Sequence, residues 1–595
     1  MRHSRILALG AVVWVSGMAA VRAGGAALTE FTTDNFHGAG NCAMCHSNRI
    51  DSTGADVSMD AQWRSTMMAN AAKDPLWQAK MSSEITRLPA LESVIEDKCS
   101  RCHMPMARVQ AVTDGVEVAV FGDGFMDKTH YLHRAAMDGV SCSLCHQIQD
   151  SGLGEPGSFT GGYVIGTSLP GPDRPMFGPF DNMFANPMRM HVNSTPTQGL
   201  HIKSSEFCAT CHTLYTPIVD AGGNVIGEFP EQTPYLEWER SAFAPGADNH
   251  AECQDCHMPA AAGAVAISDR PRWLTPLPGI GQHHFVGGNA LMLGILKDNA
   301  TEIGLTAEPT HMDATRSLTT GQLGTDAASL SIAGAAVGQG VLDVALEVAN
   351  HSGHKFPTGV PIRRAWVHLV VTDRLGAVVF ESGRVEADGR IVGNDADDDA
   401  ASCEPHHETI TSADQVQIYE SIAADSGGNV TYTFLRAAGY VKDNRLLPRG
   451  FDKDSAPADV AVYGSAVVDA DFVAGADRVN YRVDVQGRAK PLTVRAQLLY
   501  QSASHRFVED LRQDATDAVA RFASYYDAAD KAPVTVASAE AVIGTDFIDF
   551  PDFAAQWRNS GCAEPTWCGG ADFDHDGRVD FVDMMLFAGS WLAGH

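Results

Sequence analysis

Cys42-Ala43-Met44-Cys45-His46 opens a series that returns as Cys99-Ser100-Arg101-Cys102-His103, Cys142-Ser143-Leu144-Cys145-His146, Cys208-Ala209-Thr210-Cys211-His212 and Cys253-Gln254-Asp255-Cys256-His257. Each phrase reads C-x-x-C-H. An isolated C-x-x-C is as readily half of a zinc site, a thiol redox pair or a disulfide. Neither a zinc site nor a redox pair requires histidine directly after the second cysteine, and here it stands there five times. That pattern is the attachment signal for c-type haem: both thiols form thioethers with the vinyl groups and the adjacent imidazole becomes the proximal iron ligand. Ten of the thirteen cysteines are used in this way.

Working outward, residues 24–320 scatter Gly, Pro, Met and His between short helical pieces without sustained strand alternation. Such a chain buries little apolar surface of its own, so five covalent haems are expected to supply its core, with short helices after most motifs and long loops between them. Each iron then needs a sixth ligand unless it is left open for chemistry, and the remaining His and Met residues are the candidates. His130, His133, His191, His201 and His250 precede motifs three to five, and His283 and His284 follow the fifth. We expect His133, His201 and His283 to be ligands. The stretch Trp63-Arg-Ser-Thr-Met67-Met68-Ala69-Asn70 resembles a segment of multihaem cytochromes in which a ligating His stands five positions after Trp. This chain has Met68 there, and a thioether in place of imidazole would raise that haem's potential; packing as a gap-filler is the competing reading.

Upstream, Arg2, His3 and Arg5 precede an apolar, small-residue run from Ile6 to Val21, and Val21-Arg22-Ala23 ends in a small residue. This reads as a signal peptide over 1–23 and implies export to the periplasm or the cell exterior, with no later stretch apolar enough to span a membrane. The 595 residues exceed one core and imply three or four domains. With 43 Lys plus Arg against 73 Asp plus Glu, the formal charge is -30. Nucleic acid is thereby disfavoured, and basic or haem-containing redox proteins are favoured as partners.

From Leu330 the texture changes to period-two alternation, as in Leu342-Asp-Val-Ala-Leu-Glu-Val348 and Val479-Asn-Tyr-Arg-Val-Asp-Val485, separated by Gly, Asp and Asn turns. We expect an antiparallel β-sandwich over 325–510. Within it, Asn350-His-Ser-Gly-His354-Lys-Phe-Pro-Thr-Gly359 places two His in a loop, and His354 is expected as the sixth ligand of one haem, locking the β domain to the cytochrome domain. His406 and His407 are weaker candidates for that role, and Cys403 is expected as a buried free thiol. Residues 511–533 read as a linker or helix.

The last segment, 534–595, contains a two-fold repeat. Asp546-Phe-Ile-Asp549-Phe-Pro-Asp-Phe553-Ala-Ala-Gln-Trp557 aligns without gaps on Asp580-Phe-Val-Asp583-Met-Met-Leu-Phe587-Ala-Gly-Ser-Trp591. Before the second copy, Asp572, Asp574 and Asp576 occupy positions 1, 3 and 5 of an EF-hand-type loop. Gly577, Arg578, Asp580 and Asp583 stand at positions 6, 7, 9 and 12, and one calcium ion is expected there. The first copy lacks the opening aspartates. Cys562 and Cys568 lie between the copies and are placed for a disulfide in an exported protein.

Residues 42–289 resemble the multihaem, here pentahaem, c-type cytochromes of bacterial respiration. The resemblance rests on the five motifs, the Trp63 segment, Phe207-Cys-Ala-Thr-Cys-His-Thr-Leu-Tyr-Thr216 and Phe229-Pro-Glu-Gln-Thr-Pro-Tyr-Leu-Glu-Trp238. It extends through Gly353-His-Lys-Phe-Pro-Thr-Gly359 and Lys442-Asp-Asn-Arg-Leu-Leu-Pro-Arg-Gly-Phe451. The terminal repeat is similar to a dockerin, which implies a cohesin-like or cell-surface partner. The fold expected is therefore a mostly helical and irregular, haem-organised domain over 24–320, then the β-sandwich, then a small α-helical calcium-binding tail. The function implied is electron transfer. An alternative is an oxidoreductase acting on a small nitrogen or sulfur species at one haem with an open or displaceable sixth ligand; a haem-decorated adhesion module would rest on the β domain and tail alone. Every motif ends in His, so none carries the Lys that marks a catalytic haem.

Overall fold

The structure is a computed structural model that describes residues 27–544, 550–563 and 567–593. The signal segment 1–23 and Asp546 and Asp549 of the first repeat copy lie outside the described residues.

The two cysteines of each motif are three residues apart, a spacing that puts both thiols on one face of a helix. All five motifs use it. They lie within or at the end of the helices Ala39–His46, Glu92–His103, Cys142–Cys145, Ser205–His212 and Cys253–His257. The expectation of helices after the motifs is thus corrected: the helix carries the motif and stops at the histidine, which frees the ring to swing out of the helical register. After the second motif, Pro105 at once begins a new helix, Pro105–Asp114, because proline fits a first helical turn but not an interior. Three small ribbons complete this part: β1 (Pro175–Gly178) parallel to β2 (Thr195–Gln198), and the antiparallel pairs β3 (Leu214–Val219) with β4 (Val225–Gln232) and β5 (Ala264–Val265) with β6 (Leu277–Pro278).

The second part holds β7 (Ala328–Gly338), β8 (Val341–Asn350), β9 (Arg364–Thr372), β10 (Val378–Ser382), β11 (Thr409–Ile410), β12 (Ile418–Asp425), β13 (Ala437–Asp443), β14 (Ala476–Asp484), β15 (Leu492–Gln501) and β16 (Val534–Ile543). One sheet runs β11-β14-β8-β7, and the other runs β13-β12-β9-β15-β16 with β10 on β9. All pairs are antiparallel except β11 with β14. Alternation sets the faces. In β8, Leu342, Val344, Leu346 and Val348 are buried, while Asp343 and Glu347 face outward and pair with Arg482 and Arg478 of β14. One apolar core joins the sheets, with Leu346 and Tyr481 from one and Leu369, Val494 and Leu498 from the other; each such side chain contributes about 1.5–3 kcal/mol on burial.

The sheet reaches beyond the boundary at 510 drawn from sequence. β16 pairs with β15 along its length, from Leu492↔Ile543 to Tyr500↔Val534. The intervening segment, read as a linker, holds the helix Asp517–Ala528, whose Val519, Phe522, Tyr525 and Tyr526 pack with Leu76 and Ala79 of the helix Pro75–Arg87. Arg87 also pairs with Asp510 and Asp514 at 2.8 Å each. The β part is thereby clamped onto the motif-bearing part. In the tail, Phe553 of one repeat copy stacks on Phe587 of the other at 5.1 Å, and Cys562 and Cys568 form a disulfide. Among the described residues, no helix is long and apolar enough to cross a membrane.

Candidate haem centres

A backbone carbonyl only accepts hydrogen bonds, so an imidazole nitrogen facing one must carry the proton. His46 Nδ1 donates to Ile267 O at 2.8 Å, His103 to Ala71 O at 3.1 Å, His146 to Phe177 O at 2.5 Å and His257 to Val286 O at 2.5 Å. This fixes the tautomer with an unprotonated Nε2, the form that binds a metal, in four of the five motifs. Desolvation lowers all five imidazoles, His103 and His212 to about 4, so the rings are neutral and ready to ligate. None of the ten motif thiols is in a disulfide. Neutral oriented imidazoles and free thiols on one helix face fit c-type haem at the motifs.

The motifs are contiguous, in an order the sequence does not show. The Cys42 thiol meets Cys142, Cys102 meets Cys211, and Cys208 meets Cys253. Cys145 also lies close enough to Cys211 to feel its charge. Motif one thus adjoins three, three adjoins four, and four adjoins both two and five.

Several expected sixth ligands have the right free atom. His133 Nδ1 donates to Phe125 O at 2.9 Å, His283 Nδ1 to Gly281 O at 3.1 Å and His354 Nδ1 to Lys355 O at 2.9 Å, leaving each Nε2 without a partner among the described residues. His283 and His284 can now be told apart. His284 Nε2 is engaged by Gln282 and Gln62, whereas His283 is pushed down to about 3 by desolvation and then by nearby His146. His201 differs: its Nε2 donates to Ile148 O at 2.9 Å and leaves Nδ1 free, and its ring edge meets Phe177 beside motif three rather than motif four. Met67 packs into two apolar clusters, and Met68 belongs to none of those described. Of the others, His191 bonds Asn41 O, His250 pairs with Glu252 at the surface, and His130 accepts the Leu132 N–H.

His354 and His257 lie with ring centroids 6.4 Å apart and planes 14° from parallel. Two imidazoles spanning one metal at about 2.0–2.1 Å have centroids about 6.3 Å apart. The β part thus brings His354 beside His257 of the fifth motif, a pairing the sequence did not specify.

No protein-family model matches the chain, and no curated protein does. Among solved structures, it is similar to a penta-heme cytochrome c552 from Thermochromatium tepidum, at 17% identity and a TM-score of 0.46, over 84% of this chain and 98% of that one.

His406 and His407, the weaker candidates, are excluded by their contacts. His407 is held by Glu404 at 2.6 Å. His406 Nδ1 accepts from the Gln417 and Asn444 amides, whose oxygens are fixed by the N–H groups of His407 and Glu420. The proton therefore sits on Nε2, which donates to Asp469 at 3.0 Å. Cys403 is unpaired but only half-buried.

The group that sequence reasoning missed lies around His354. Glu237, Lys355, Asp443 and Arg445 form one buried network: Lys355 to Asp443 at 2.7 Å, Arg445 to Asp443 at 2.8 Å and Arg445 to Glu237 at 2.9 Å. Its members come from three separate stretches already singled out, and their mixed charges next to apolar residues were the available signal.

In the tail, Asp572, Asp574 and Asp576 offer oxygens within 4.8 Å of one another, and buried Asp572 Oδ1 has no partner. These carboxylates fit a hard cation. Asp583, expected as the twelfth ligand, lies beside them; its oxygens accept the N–H groups of Phe573 and Asp580 at 2.5 and 2.7 Å and brace the loop.

Proposed function

We propose that the chain is an exported pentahaem c-type cytochrome that carries electrons through covalently bound haems. The observation that supports this most directly is the set of four motif histidines turned by backbone carbonyls so that Nε2 is free, on motifs that touch one another. When bound, each haem supplies one-electron exchange at iron; the protein supplies attachment, ligand orientation and the surrounding dielectric and charge. The attaching residues are Cys42, Cys45 and His46 and their counterparts in the other four motifs. Met68, His133, His201, His283 and His354 are the proposed sixth ligands, one for each iron, so no site is left open for a substrate. Contiguity gives a route from motif one through three to four, with a branch to two and to five. A chain of charge -30 favours basic redox partners. The β domain acts as a sandwich that delivers His354. The tail is proposed as a dockerin-like calcium-binding module that tethers the protein to a cell-surface partner.

Electron paramagnetic resonance of the oxidised, haem-loaded protein tests the reading. Low-spin signals alone are expected. A high-spin signal worth one haem would overturn the carrier assignment in favour of an oxidoreductase, and nitrite, hydroxylamine and tetrathionate would then be the substrates to assay.

A further inference from the structure

The carboxylate of Glu237 is fully buried, with no exposed surface. It sits at the end of the short helix Pro234–Trp238 in the motif-bearing part, yet most of its partners belong to the β part. Oε1 accepts from Arg445 at 2.9 Å and from the Thr233 hydroxyl at 3.2 Å. Oε2 accepts the Lys355 N–H at 3.1 Å and the Thr358 hydroxyl at 2.6 Å. The last two contacts bracket the Lys355 carbonyl, which takes the Nδ1 proton of His354. One side chain thus holds both sides of the turn that aims His354 at His257.

Part of the charge of Glu237 serves docking, because it balances buried Arg445. A buried carboxylate is costly unless paired, and an amide of the same size would meet part of the same donor set. A negative charge held against the turn that carries a ligating imidazole has a further effect, because it makes the ligand more basic and favours the more positive, oxidised iron. We propose that Glu237 is a positioning residue that fixes His354 as the sixth ligand at the fifth motif and, through its charge, lowers the reduction potential of that one haem. This rests on the electron-carrier reading above.

The experiment uses the full-length, haem-loaded protein with His354→Ala, Glu237→Gln, Glu237→Ala and Thr358→Val, read by electron paramagnetic resonance and by potentiometric titration of the visible spectrum. His354→Ala is expected to turn one low-spin haem high-spin; if it does not, the ligand assignment in the proposed function fails, whatever Glu237 does. Glu237→Gln is expected to keep every haem low-spin and move one potential upward by a change of about tenfold in the redox equilibrium, about 59 mV for a one-electron couple. Glu237→Ala is expected to add high-spin character at that same haem. Should Glu237→Ala not fold, Thr358→Val tests the positioning contact alone and is expected to broaden the low-spin signal of that haem without moving its potential. Unchanged potentials in Glu237→Gln, or an equal shift of all five, would overturn the proposal and leave Glu237 a purely structural residue.

Discussion

Asp443→Asn is the sharpest test of how the two parts of the molecule are joined. Asp443 receives Lys355 Nζ at 2.7 Å and a two-pronged contact from Arg445 at 2.9 and 2.8 Å, with side-chain exposures of 0, 1 and 6% for Lys355, Asp443 and Arg445. Burial alone would raise its pKa, but Arg445 and then Lys355 reverse that and hold it at about 2, against an ordinary 3.8. Lowering a fully buried carboxyl by that much corresponds to a stabilisation on the order of 2–3 kcal/mol. Replacing it with an isosteric amide also leaves two buried cations with Glu237 as their sole carboxylate, a situation that costs about 3–5 kcal/mol. Urea unfolding of the full chain, followed by far-UV circular dichroism, should show a loss in this range at pH 7. The sign with pH follows from the depressed pKa. The contribution is fully present above the unfolded value near 3.8 and fades as pH falls through about 2, so wild type and variant should converge in acid. A loss below about 1 kcal/mol at pH 7, or a gap that persists unchanged at pH 2, would refute the reasoning.

His283→Ala should turn one haem high-spin, while His284→Ala, whose Nε2 is tied to two amides, should leave the electron paramagnetic resonance spectrum unchanged. Asp572→Ala should abolish the rise in melting temperature of the tail on calcium addition, a stabilisation of about 2.7 kcal/mol at a hundred times Kd in the wild type. Leu346→Ala, at a fully buried position between the two sheets, should cost about 2–5 kcal/mol in urea unfolding, whereas Glu347→Ala on the outer face of the same strand should cost less than about 1 kcal/mol.

What could be read from the sequence was local chemistry. The five motifs follow from their fixed residue pattern, and β8 and β14 follow from strict alternation, because each of those patterns is decided within a few residues; that the helices carry the motifs rather than follow them was misjudged. His354 could be singled out as a histidine amid Gly and Pro in a loop, but that it faces His257 could not be read from the sequence. The carbonyls of Ile267, Ala71, Phe177 and Val286 that orient the motif histidines were not legible either, because any residue supplies a carbonyl and only the fold selects which one. The edge strand β16 escaped for a similar reason: Val534-Thr-Val-Ala-Ser-Ala-Glu-Ala-Val-Ile543 is small-residue-rich and only partly buried, so its alternation is weak until β15 is placed beside it. Glu237 and Arg445 could be seen as unusual, but a sequence does not state that two charges more than two hundred residues apart neutralise each other.

The order of the motifs along the chain differs from their order in space, and this has a physical consequence. Motif two lies between one and three in sequence, yet the contacts run from Cys42 to Cys142 and from Cys102 to Cys211, so the chain crosses back on itself between successive motifs. Such crossing forces long connections to share walls: Phe177, in β1 after motif three, both holds His146 through its carbonyl and packs its ring on His201. A change in one connection therefore acts on two centres. Motif four, which touches three others, is where this sharing is greatest, and the β domain reaches the same region through His354 and the Glu237–Arg445 pair. The domain without a haem motif is thus placed where it bears on the branch of the route, and its removal should disturb the fifth motif and the hub together rather than the end at motif one.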